Sequence, residues 1–454
     1  MIGKERKFQT RSVDFPFSPR KWPFFYGWVI VCVSACGLLA SMPGQTIGFS
    51  VFVEVLMEEL NLTRDQISFS YMAGTILGGV LLPYGGTLFD RFGARKTMIY
   101  SCVGLGLVCL YFSFIDHLQS GGVSVFTILK PEWLAWTIIA FGFFCIRFTG
   151  QGMMAMTATA MLGKWFYYRR GVVQSLRGLF IAIGLSLTPL ILNFFLQSYG
   201  WRASYWIMAG TCGFGMALVA WMFYRDNPEE CGLVMDGGYR PRREKVKNED
   251  LLIYRDFNRR EALGTFTFWA FTLAFCNNSF LATGFAFHIL SIGKTLGLGQ
   301  YEVLSFFFPI ALVSIPSNFL MGWLSDRMRI KYLLSVMTLG QVAFGLSYCF
   351  FPGLSGKMMI IAGMGVAGGA FSALSGVVWP RFYGRTHLGA ISGFFMSSIV
   401  IASALSPYIF SQLYTATGTY LSAFLMVAVL GVILLACSLF ADNPQRKRVE
   451  HRNG

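Results

Sequence analysis

Twelve predominantly apolar stretches of 18 or more residues recur along this 454-residue chain, near 25–53, 66–88, 97–115, 133–162, 172–196, 202–224, 265–292, 302–324, 332–351, 357–380, 390–413 and 420–440. Each is long enough to cross a hydrocarbon layer of about 30 Å. Lipid offers a peptide group no hydrogen-bond partner, so a spanning segment is either a helix or a strand of a closed barrel. None of the twelve alternates with a period of two, and all exceed strand length, so they read as helices. Only 13% of residues are charged, against about 25% in an average soluble domain. The 50 Gly and 15 Pro show no repeat and the 10 Cys are scattered, which excludes a collagen-like chain and a disulfide scaffold. The fold class expected is an all-α polytopic membrane protein.

Polar punctuation is short except at 225–264, which holds nine Lys/Arg and divides the spans six and six. The expected organisation is an N-terminal tail (1–23), a six-helix bundle (24–224), a linker (225–264), a second six-helix bundle (265–441) and a C-terminal tail (442–454). No small-residue cleavage site follows the first apolar run, so span 1 is expected to be an uncleaved anchor.

The net charge is +15, from 37 Lys+Arg and 22 Asp+Glu. Of those 37 bases, 31 lie on the tails, the even-to-odd loops and the start of span 5, and five lie on the opposite side. The positive-inside rule then puts both termini in the cytoplasm, in a plasma membrane or bacterial inner membrane. The basic excess belongs to the cytoplasmic membrane face, with the bilayer as partner, so no nucleic-acid partner is expected; the chain is expected to be a monomer.

The two halves echo each other. Gly86-Thr-Leu-Phe-Asp90-Arg91-Phe-Gly93-Ala-Arg95-Lys96 stands between spans 2 and 3, and Gly322-Trp-Leu-Ser-Asp326-Arg327-Met-Arg-Ile-Lys331 between spans 8 and 9, at an offset of 236. Gly171, Pro189 and Gly200 recur as Gly389, Pro407 and Gly418 at an offset of 218. Transporters commonly place a central site between repeats of this kind. Gly85 and Gly86 permit close helix approach, Asp90 suits the positive end of a neighbouring helix, and Arg91 or Arg95 suits surface acids.

At these residues the chain resembles the major facilitator superfamily, over nearly its whole length. Narrower features resemble its monocarboxylate and oxalate/formate branch. They are Phe25-Tyr26-Gly27-Trp28-Val29-Ile30, Lys164-Trp165-Phe166 with Arg169-Arg170-Gly171, Gly200-Trp201-Arg202-Ala203, Asp226-Asn227-Pro228-Glu229-Glu230-Cys231-Gly232-Leu233, and Arg260-Glu261-Ala262-Leu263 with Phe268-Trp269. The resemblance implies the major facilitator fold of two six-helix bundles. It also implies that Gly86, Asp90, Arg91, Gly93, Arg95, Gly322, Asp326 and Arg327 form gating loops that lock the cytoplasmic side. The branch's better-known carriers use bases deep in span 8 or span 11; here both spans lack one, so their substrate does not simply carry over.

Arg147 is the one base left over, about halfway along span 4. A mid-membrane Arg is costly and marks a function by default. No Asp or Glu lies at its depth, so its partner is either an anionic substrate or the backbone carbonyls of a broken helix, which span 1 offers at Pro43-Gly44. Gln151 is one turn on. Arg147-Phe-Thr-Gly-Gln151-Gly152 resembles the superfamily's span-4 motif with its spacing shifted by one residue. Gln45 and Thr46 in span 1 and Asn277 and Asn278 in span 7 are further substrate-binding candidates, or else helix–helix bonds. Glu54 and His288, at the outer ends of spans 1 and 7, are candidates for proton coupling, or interfacial residues.

Gly363-Met-Gly365-Val-Ala-Gly368 matches a dinucleotide pattern but lies inside an apolar span with no preceding strand, and reads as helix packing. No cofactor, metal site or catalytic constellation is expected, hence no enzyme. The leading expectation is a secondary active transporter of a small organic anion, by symport or antiport with a proton or counter-anion. The alternatives are an exporter of amphipathic drug-like or siderophore-like compounds and a non-transporting receptor or assembly protein.

Overall fold

The computed structural model describes residues 15–118, 131–239, 253–299, 302, 305–351 and 353–445. Much of both expected tails, residues 240–252 of the basic linker and the loop holding Lys130 lie outside the described residues. The described residues hold helices and no strand.

Nine helices are long and apolar enough to cross a membrane, with Gly27–Leu39 a shorter one, among the described residues. The merged helices Arg64–Ser113 and Arg170–Met208 each break at one glycine, Gly93 (φ 81°, ψ 171°) and Gly200 (φ 79°, ψ 170°). Only glycine occupies that region of backbone space without strain. Those two breaks separate span 2 from 3 and span 5 from 6. The expected spans therefore appear as helices, two pairs of them running on through a single glycine corner.

By contacts the chain groups into two compact units. The first comprises 1–165, 179–238 and 392–397, and the second 166–178, 239–391 and 398–454.

In the first unit span 1 is not one helix. Gly27–Leu39 is followed by a 3-10 turn at Met42–Gly44, an extended Gln45 (φ −88°, ψ 152°), and the short helices Thr46–Ser50 and Val53–Leu60. Pro43 cannot donate to the helical ladder, and Gly44 lets backbone approach backbone. A methyl group on Gly44 would stand 2.5 Å from the Ile146 carbonyl oxygen and 2.9 Å from Gly150 Cα. The facing element is a π-helical turn, Arg147–Met154, inserted between Pro131–Ile146 and Ala155–Trp165. A π turn holds about one residue more than an α turn, which accommodates the one-residue shift in the Arg147-to-Gly152 spacing.

The second unit centres on aromatic packing. Phe344 meets Phe424 at 4.9 Å and Phe285 at 5.4 Å, and both partners are buried. Gly363, from the dinucleotide-like pattern, faces Gly340, where an added methyl would lie 2.6 Å from the Gly340 carbonyl oxygen. That is helix packing through small residues.

Each end of the linker is pinned within one unit by the same device. Asp226 lies against Gly93, accepts the Arg95 backbone N–H (2.8 Å), and fills the space where a Gly93 side chain would be. Asp256 lies against Gly384 (φ 82°), accepts the Arg385 backbone N–H (3.0 Å), and bonds the Thr386 hydroxyl. Gln445 adds to the second pin, accepting from the N–H groups of Tyr254 and Arg255 and donating to the Arg255 and Phe382 carbonyls.

Gly93→Ala and Gly200→Ala separate two costs. Both force a side chain into the glycine-only region, costing about 1–3 kcal/mol. Only Gly93→Ala also collides with Asp226, since nothing lies within 4 Å of Gly200. Thermal denaturation in detergent is expected to show both variants destabilised, Gly93→Ala the more so.

Candidate functional site

The break in span 1 takes the Gly44 carbonyl out of the helical ladder, which resumes where Phe49 N–H donates to the Gln45 carbonyl (3.1 Å). Arg147 fills that opening. Its Nη1 donates to the Gly44 carbonyl at 3.0 Å and to the Thr46 hydroxyl at 3.4 Å. The Tyr71 ring covers the guanidinium, with Cζ 5.0 Å from the ring centroid. Tyr71 is itself fixed by Phe49 (6.0 Å, stacked) and Phe143 (5.3 Å, edge-on), and its hydroxyl bonds Thr46 at 2.6 Å. Arg147 is 3% exposed, and among the described residues no carboxylate pairs with it and no acceptor meets Nη2.

The other candidates divide by unit. Gln45 and Gln151 join the Arg147 cluster: Gln45 donates to the Ser41 hydroxyl (3.1 Å), and the Gln151 backbone nitrogen abuts Gly44. The Gln151 side-chain oxygen is buried without a hydrogen bond among the described residues. In the second unit Asn277 donates to Gln341 (2.9 Å), which donates to the Ala274 carbonyl (2.9 Å), so this amide is held in helix–helix bonding. The carbonyl oxygens of Asn277 and Asn278 are both buried and unpaired among the described residues. His288 uses both ring nitrogens, Nε2 to the Pro407 carbonyl (2.9 Å) and Nδ1 to the Tyr420 hydroxyl (3.3 Å). Glu54 lies on Val53–Leu60, with its side chain outside the described residues.

In the first unit Asp90 is half-buried, Arg91 is exposed over Phe92 (5.5 Å), and Gly86 Cα would meet a methyl on Gly393 at 3.1 Å. The Arg95 guanidinium donates to the carbonyls of Trp221 (2.9 Å) and Phe15 (2.9 Å). Burial and then the neighbouring Arg225 push Arg95 below its ordinary pKa, and Asp226 opposes them.

In the second unit Asp326 accepts the N–H groups of Gly171 (3.1 Å) and Val172 (3.3 Å), at the start of the helix from Arg170, and ion-pairs with buried Arg381 (2.7 Å). A carboxylate at a helix N-terminus satisfies unpaired donors and the positive end of the dipole. Gly322 makes this approach possible, since a methyl there would lie 2.5 Å from the Gly171 carbonyl oxygen. Arg327 turns back over Trp323 (4.0 Å) and donates to its carbonyl (3.0 Å).

Sequence reasoning missed Tyr71, Arg381, Gln341 and Asp256. Arg381 carried one usable signal, as a base in a loop of the same half as Asp326. Asp326→Asn leaves the Arg381 charge buried and uncompensated, and is expected to cost about 3–5 kcal/mol. The check is the melting temperature of the purified variant, with Arg327→Gln, whose side chain is exposed, staying near wild type.

The Major Facilitator Superfamily profile matches residues 33–365. The probable sulfoacetate transporter SauU of Cupriavidus necator is 24% identical over 442 residues, spanning 90% of this chain and 93% of that protein. Monocarboxylate transporter 12 of Rattus norvegicus is 22% identical over 329 residues, 66% of each chain. The structure of the proton:xylose symporter XylE bound to 6-bromo-6-deoxy-D-glucose superposes with a TM-score of 0.64 at 16% identity, covering 93% of this chain and 98% of that one. With its helical spans, its Asp-Arg loops and a profile match over most of its length, this chain belongs to the Major Facilitator Superfamily, as a multi-pass membrane transporter and not an enzyme.

Proposed function

We propose that the chain is a secondary active transporter of a small organic anion, working by alternating access, with both termini in the cytoplasm. The observation that carries this reading is the state of Arg147. It is a buried cation with two of its donors spent on Gly44 and Thr46, no carboxylate partner among the described residues, and Nη2 unclaimed. A charge at that depth is costly until something neutralises it, and an anionic substrate does so. The names of the relatives, a sulfoacetate and a monocarboxylate transporter, agree with that chemistry. Gln151 and Gln45 serve as neighbouring polar selectors, and Asn277 or Asn278 is a polar candidate in the second bundle. The Asp326 cluster and the Gly86–Arg95 loop act as cytoplasmic gates. Coupling by a proton runs through His288, Glu54 or the substrate's own acid group.

The bond from Arg147 to Gly44 favours a second reading, in which the guanidinium only braces the break in span 1. Counterflow of labelled carboxylates in proteoliposomes separates the two. Losing a hydrogen bond to a charged group costs about 1.5–3 kcal/mol, or roughly 10–100-fold in affinity. Arg147→Gln is therefore expected to weaken anion counterflow by about that factor while its melting temperature stays near wild type. A folded Arg147→Gln that transports carboxylates at the wild-type rate sinks the anion anchor, and a variant that loses its fold supports the brace.

A further inference from the structure

We infer that the Thr46–Tyr71 hydroxyl pair is the second half of the anion site. It supplies an O–H donor beside the Arg147 guanidinium and so selects an oxyanion with two acceptor oxygens, a carboxylate or a sulfonate. This rests on the reading of Arg147 as anion anchor and goes beyond it in naming what completes the site.

The argument is a count of protons. Arg147 only donates, so the Thr46 oxygen accepts from Nη1 at 3.4 Å. Thr46 and Tyr71 carry one hydroxyl proton each, and the 2.6 Å bond between them uses one. Neither hydroxyl donates to any other described residue, so one O–H proton is left over whichever of the two is the donor. Thr46 is exposed and Tyr71 half-buried, so the spare donor is not sealed inside protein.

Geometry fixes where that donor stands. Gln45 is extended, so Thr46 starts a new helix directly after the Gly44 carbonyl, and both meet the same guanidinium nitrogen. The Tyr71 ring lies against the guanidinium, and the stacked Phe49 and edge-on Phe143 keep it there. A ligand at Nη2 with a single acceptor atom satisfies the arginine alone. One with two oxygens on one centre takes the spare hydroxyl proton as well, and charge-assisted bonds of this kind are the strong ones. A neutral amide of the same shape offers no charge to either donor.

The test uses purified full-length protein and isothermal titration with lactate, methanesulfonate and the neutral analogue lactamide. Tyr71→Phe keeps the ring over the guanidinium and removes only the hydroxyl. Thr46→Val removes the other hydroxyl, and Thr46→Ser retains it. Wild type is expected to bind lactate, methanesulfonate or both, and not lactamide; the two anions show whether carboxylate or sulfonate fits. Tyr71→Phe and Thr46→Val each end the bond between the two hydroxyls and leave one O–H free for the ligand, so each single variant is expected to keep most of the affinity. The double variant has no hydroxyl left and is expected to bind that anion about ten-fold more weakly, a loss larger than the two single effects combined. Thr46→Ser is expected to match wild type, and ligand-free melting temperatures are expected to stay level across the set. Wild-type affinity in the double Tyr71→Phe, Thr46→Val variant, with binding lost in Arg147→Gln, overturns the hydroxyl pair and leaves the anion anchor standing. Undiminished binding in Arg147→Gln overturns both, as does a wild type that binds neither anion or binds lactamide equally well.

Discussion

The broken first span and the π turn of span 4 organise the first unit, and the bond from Arg147 to the Gly44 carbonyl marks where they meet. A guanidinium inside a bilayer needs acceptors, and a continuous helix has none to give, since its carbonyls are spent on its own ladder. Span 1 supplies one by breaking at Pro43-Gly44, and span 4 meets it by loosening into a π turn at Arg147–Met154. Gly44 against Gly150 lets the two irregular backbones touch. Two defects that would each be unfavourable alone are thus matched to one another, and the polar groups they release are gathered at one place. Irregular helices at membrane depth recur at functional sites for the same reason.

Charge placement elsewhere follows a related logic. In three loops between spans an aspartate bonds a backbone N–H group beside a glycine. Asp226 does so at Gly93, Asp256 at Gly384, and Asp326 at the helix start beside Gly171. Of these three, Asp326 also ion-pairs with a buried arginine, Arg381.

Much of this architecture was legible in the amino-acid sequence because a bilayer leaves few choices. Apolar length sets the spans, loop charge sets the expected orientation, and the duplicated Gly-x-x-x-Asp-Arg marks the family. Arg147 stood out for the same reason, and the Pro43-Gly44 break hinted at where its acceptor would be found. What stayed hidden was anything carried by common groups. Tyr71 is one aromatic among the 17% of residues that are aromatic, and only the fold reveals that it covers Arg147. Gln341, which engages Asn277, had no sequence signal, because a polar residue in a span reads the same whether it faces a neighbour or a cavity. Asp256 lay in a charged linker, where a single acid has no distinguishing context until Gly384 is brought to it.

The partners Arg147 and Gly44 are 103 residues apart, and their order along the chain bears on how the protein is made. Chains are synthesised from the N-terminus, and an arginine at the centre of an inserting helix costs about 2.5–3.5 kcal/mol on the insertion scale. Span 1, with its released carbonyl, precedes the charge and is available to receive it as span 4 enters the membrane. Reversing the order would leave the guanidinium waiting in lipid for an acceptor not yet translated. The broken first span thus holds the guanidinium in the finished protein and offers a landing place for a difficult helix during its birth.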